Sequence, residues 1–201
     1  MTDYGYGNVF VGGSIIGSGD ATVLLQVTGS NNSIGALTIT GSQNSTIRIY
    51  ISGHYNVLAG ITITASANSI TTITISGSQN AVGGLTVTTS DNSATHLEIT
   101  AGNNTIAGGT FTSTESSAIS IKMNDWDTLT GVILTASEFA QANVNVGGIS
   151  NSISGLTITG SGYSKTTLNM PATGYSDTGR TVVAMMVDNK FISIPSSGFM
   201  L

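Results

Sequence analysis

The chain has 201 residues, of which only 7% are charged, and its formal net charge is −5; this excludes the basic footprint of a nucleic-acid-binding protein and the highly charged composition of a disordered one. It contains no cysteine, so it has no disulfide framework and no thiolate metal site. No apolar run approaches the roughly 18 residues of a membrane-spanning helix, and the opening MTDYGYGNVF lacks the basic and apolar stretches of a signal peptide. The expectation is a chain made in the cytoplasm without a secretion signal, with no membrane and no nucleic acid among its partners.

Residues 1–7 are a Tyr- and Gly-rich lead-in. From there a twelve-residue frame begins. Blocks open at Asn8, Asp20, Asn32, Asn44, Asn56, Asn68, Asn80, Asn92, Asn104, Ser116, Asp127, Phe139 and Asn151, and the block opening at Ser116 has eleven residues. Inside a block the sixth and eighth positions are usually apolar, as in Ile61/Ile63 and Leu85/Val87, while the seventh and ninth are polar, mostly Thr. A period of two predicts a strand with one buried face. The Gly, Ser and Asn between runs predict corners, because they tolerate left-handed backbone. Neighbouring blocks differ and alternate blocks agree, so the full period is 24 residues. One type, here called face A, reads GALTIT, AGITIT, GGLTVT, AGGTFT and SGLTIT; the other, face B, reads IRIYIS, TTITIS, THLEIT and ISIKMN. The predicted fold is all-β: a parallel solenoid over residues 8–162, each coil built of two strand–turn blocks. Stacked coils place Asn on Asn about 4.8 Å apart, and the recurring Asn is read as a structural side-chain ladder. This organisation resembles the parallel β-helix, with about six and a half coils and a height of roughly 30 Å.

Residues 163–201 leave the frame. TVVAMMVDNKFISI reads as strand, Asp188-Asn189 turn, strand, before an apolar SSGFML end. This segment is expected to cap the stack and to serve oligomerisation or attachment to other proteins.

Face A carries no charge between the second and eleventh positions of any block. Its outward residues are Thr38/Thr40, Thr62/Thr64, Thr86/Thr88, Thr110/Thr112 and Thr157/Thr159, with Ser14/Ile16 and Ile133/Thr135 as departures. A neutral face beside a charged one reads as an interface. In this it resembles the homotrimeric β-helical spikes, fibres and decoration proteins of bacteriophages. That resemblance implies a non-enzymatic virion surface protein that packs with copies of itself, docks other virion proteins through residues 163–201 and meets host-surface glycans. The T-x-T array is also similar to that of β-solenoid antifreeze proteins, which implies an ice-binding plane on the same threonines. The frame of 24 residues puts these Thr rows about 7 Å apart along the strand and about 4.8 Å apart between coils.

Face B holds Arg48, Tyr50, His96, Glu98 and Lys122 outward, with Glu98 and Lys122 in the same position of successive coils and so expected to pair. Tyr50, His96, and the corner residues Tyr55 and Trp126 are candidate glycan contacts, since aromatic faces stack on sugar rings; His54 lies at the same corner. The other corner brings Asp91, Glu115 and Glu138 into consecutive coils about 5 Å apart. Such oxygens suit a hard cation such as Ca²⁺, or a carboxylate pair for polysaccharide cleavage, although the chain is lean in acids. No cofactor and no nucleophilic constellation is indicated elsewhere.

Overall fold

The computed structural model describes residues 2–3, 5–170, 175–178 and 181–184. All regular structure among them is strand, and neighbouring strands pair in parallel, residue against the residue one coil away. One representative coil contains three strands: Val57–Ala59, Thr62–Ala65 and Ile70–Ile75. The solenoid is therefore three-sided. The face-B strands form an eight-stranded sheet, here row B. Face A divides into two rows, A1 (the Val57–Ala59 type) and A2 (the T-x-T type). The two rows remain one fourteen-stranded sheet, because Ser33–Gly41 runs through the bend and pairs with Val57–Ala59 on one side and Thr62–Ala65 on the other.

The bend within face A has a simple cause. The fifth position of each block, occupied by Ala36, Gly60, Gly84, Gly108, Gly131 and Gly155, is left-handed, with φ between 52° and 64°. A residue there must have little or no side chain to adopt that backbone cheaply. The Gly and Ala ahead of T-x-T thus make a third corner, where periodicity alone predicted one continuous strand.

The recurring Asn does two different jobs. At the corner between rows B and A1, the buried Asn32, Asn56, Asn80, Asn104 and Asn151 form a ladder: the backbone N–H of Asn32 donates to Oδ1 of Asn56 at 2.9 Å, that of Asn56 to Asn80 at 2.9 Å and that of Asn80 to Asn104 at 3.0 Å. At the corner between A2 and B, Asn44, Asn68 and Asn92 are left-handed and exposed. There the serine that follows turns inward: the N–H of Ser69 donates to Oγ of Ser93 at 3.1 Å. Both arrangements satisfy backbone donors that the corners remove from the sheet.

The eleven-residue block is accommodated without loss of stacking. Partners are 24 residues apart before it (Ala94 with Ala118) and 23 across it (Thr105 with Thr128, Thr110 with Ile133). The strand stack also outlasts the frame. Lys165–Asn169 pairs with the row-B strand Gln141–Val146, and Tyr175–Thr178 and Thr181–Ala184 continue rows A1 and A2. Thr166, Leu168 and Met170 keep the inward period of two where the opening Asn has gone. The Asp188-Asn189 turn and the strand expected after it lie outside the described residues.

Stacked Ile, Leu and Val fill the interior. Two interior threonines, Thr71 and Thr95, are in register in row B, and each buries a hydroxyl with no hydrogen-bond partner. An unpaired hydroxyl costs free energy that a methyl of the same shape does not. Thr71→Val is expected to raise stability by about 1 kcal/mol, measured as a higher urea midpoint at unchanged m; a lower midpoint would show that Thr71 has a partner.

Candidate binding faces

Row A2 presents two files of threonine. In the first, Thr38, Thr62, Thr86 and Thr110 are in direct register, followed by Ile133 and Thr157; in the second, Thr40, Thr64, Thr88, Thr112, Thr135 and Thr159 are unbroken. All are exposed or half-buried, and the residues between them point into the core. From Val9–Gly17 to Thr157–Gly160 no strand of rows A1 or A2 contains a charged residue. The outward side chains of A1 are small, as in Ala81/Gly83 and Thr105/Ala107. The apolar exceptions cluster in the first coil, where Val9, Val11 and Ile16 are 71–73% exposed.

Row B differs file by file. Arg48, Thr72, His96, Ser120 and Asn143 follow one another in one file, and Tyr50, Thr74, Glu98, Lys122 and Asn145 in the next. Lys122 Nζ donates to Glu98 Oε1 at 2.7 Å, as their spacing predicted. Both side chains are well exposed, so the pair contributes about 0–1 kcal/mol.

The candidate glycan contacts do not converge. Tyr50 and His96 stand in different files, two coils apart. Tyr55 and Trp126 share the column just before the Asn ladder, with φ of 57° and 60° and about half their surface exposed, but three coils separate them, about 14 Å. His54 is tied to the neighbouring coil, its Nδ1 2.9 Å from Oγ of Ser78.

Asp91, Glu115 and Glu138 do form one column, all left-handed and exposed. A hydrogen bond with Asp91, then the charges of Asp91 and Glu138 with a little desolvation between, hold the Glu115 carboxyl above its ordinary range. This chemistry is that of acids sharing a proton. Among the described residues no group of three or more His, Cys, Asp or Glu side chains is arranged to hold a metal ion.

Two features escaped the sequence reading. Phe139 and Tyr163, 24 residues apart, stack one coil beyond this column with ring centroids 5.2 Å apart and planes 6° from parallel; their spacing was the available signal. Asp127 sits inside the Asn ladder, with no exposed surface; it was legible only as a block opener.

Comparison with protein-family models, curated proteins and solved structures returns no match for this chain. The parallel solenoid of 24-residue coils stands as a likeness of architecture.

Proposed function

We propose that the chain is a non-enzymatic structural protein that packs against copies of itself through rows A1 and A2, as a homotrimeric subunit of a bacteriophage surface assembly such as a spike, fibre or capsid decoration. The observation that carries this reading is the distribution of charge. Ionisable side chains of the solenoid lie on row B and at the corners, while A1 and A2 form a flat sheet of small neutral residues with three exposed apolar side chains at its start. Such a sheet allows close backbone approach, and exposed apolar patches mark association surfaces. The phage context rests on the resemblance of repeat pattern and on the lack of a recognisable secretion signal.

Light scattering at two concentrations tests the packing. The expected result is a concentration-independent trimer for the unmutated chain and a monomer for Thr88→Lys, which places an unpaired charge in the packed face. A monomer at every concentration overturns this reading.

One observation favours a second reading. Two nearly unbroken Thr files, in register over six coils, repeat at about 4.8 by 7 Å. Contact between chains does not require a regular lattice of hydroxyls and methyls, whereas contact with ice does. A monomer showing thermal hysteresis that Thr86→Tyr abolishes would establish ice binding; absence of hysteresis in the unmutated protein removes it.

A further inference from the structure

The ladder at the corner between rows B and A1 has one acidic member, and its position follows from the shortened block. In a regular coil four residues, Thr100 to Asn103, lead from the row-B strand Ala94–Ile99 to the ladder residue Asn104. After Ala118–Met123 only three, Asn124 to Trp126, lead to Asp127. The ladder amides use their NH₂ to reach carbonyls: Asn56 donates to the Gly29 oxygen at 2.9 Å and Asn151 to that of Gly147 at 2.7 Å. In the shortened turn a donor points the other way. The N–H of Asn124 donates to Asp127 Oδ2 at 3.3 Å, while the N–H of Asn104 donates to Oδ1 at 2.9 Å. A residue with acceptors at both ends fits there.

The acid has no cation to balance it. Glu98, Lys122 and His96 of row B point outward, and the Lys122 ammonium is engaged with Glu98. Rows A1 and A2 contribute no ionisable group to this level. The charged neighbour at the corner is Asp125, itself an acid, whose Oδ1 accepts the N–H of Ile149 at 2.7 Å.

We propose that Asp127 makes this seam of the solenoid a proton-dependent joint, tightest when the carboxyl carries a proton and looser when it is ionised. Burial pushes the carboxyl above its ordinary range; the N–H bonds from Asn104 and Asn124 oppose that, and the charge of Asp125 adds to it. The folded chain therefore holds a proton that the unfolded chain, with an ordinary Asp value of about 3.9, releases. Stability is fully present below that value and is lost as pH rises through the raised folded value. Each coil contacts only its neighbours, so the effect falls on the joint between the coils before and after Trp126.

Urea unfolding of the full chain between pH 4 and 7.5 tests this. For the unmutated protein the folding constant is expected to fall with rising pH, at most about tenfold per pH unit for one proton. Asp127→Asn should flatten that slope, and Glu115→Gln, which removes the exposed acid raised in the same sense, should leave most of it. Equal slopes for the unmutated protein and Asp127→Asn overturn the proposal. Should Asp127→Asn not fold, carboxyl ¹³C titration of the unmutated protein decides: a midpoint for Asp127 above about 4 supports the joint, and one at or below it overturns it.

Discussion

Alanine at Gly77 is expected to abolish folding. Gly29, Gly53 and Gly77 stack at the corner where row B ends, and a Cβ on Gly77 would run into the carbonyl oxygen of Gly53, as one on Gly53 would into that of Gly29. The obstacle is backbone, which cannot swing aside as a side chain does. It is also in use, since the Gly29 oxygen accepts the Asn56 amide. Relief requires the coils to part at the ladder, with loss of its buried hydrogen bonds. The cost exceeds the upper end of ordinary overpacking, about 3 kcal/mol, and is a large share of a typical stability of about 5–15 kcal/mol. Circular dichroism should show loss of the cooperative melt. Gly35→Ala is the control: its Cβ meets the Ala59 oxygen at an ordinary 3.5 Å, and Ala59 itself occupies that position one coil on. Near-identical melts for Gly77→Ala and the unmutated chain would show that the coils can part locally at little cost.

Phe111→Ala should lower stability by about 3–5 kcal/mol, or about 10 °C in melting temperature for a chain of this size. Phe111 is the bulkiest fully buried side chain, and its size is matched to a neighbour. Sister coils carry two aliphatic residues at the two inward A2 positions, such as Ile61/Ile63, Leu85/Val87 and Val132/Leu134. Here they are Gly109 and Phe111, and a Cβ on Gly109 would lie 2.8 Å from the Phe111 ring. The ring fills the space of the missing side chain. Gly109→Leu alone should therefore destabilise by overpacking, whereas Gly109→Leu with Phe111→Val, which recreates the Leu85/Val87 pair, should recover most of the loss. Strict additivity in that double-mutant cycle would show that the two positions do not share one space.

Much of this architecture was legible in the residues because a solenoid repeats its reasons. Ile63 and Ile75 mark inward positions by period, and the same marks recur each coil, so random exceptions average out. The single deleted residue after Ser116 was visible for the same reason. What periodicity could not show was the third corner. Ala59-Gly60 ahead of T-x-T looks like a small-residue surface in sequence, and only the left-handed backbone of Gly60 distinguishes a corner from a strand. The split roles of Asn were hidden likewise, since Asn44 and Asn56 open blocks identically while one faces water and the other the interior. On the faces, the Glu98–Lys122 pair and the acidic column followed from register. The scatter of Tyr50, Tyr55, His96 and Trp126 also followed from it, once the number of coils between them was counted.

The 23- or 24-residue separation of paired strands has a consequence for how the molecule comes into being. Each strand finds its partner among residues synthesised just before it, never among those still to come. The chain can be wound from its first coil as it is made, each finished turn serving as the surface on which the next is laid. A break in one turn then halts the winding at that point, and what has already been laid down keeps its shape.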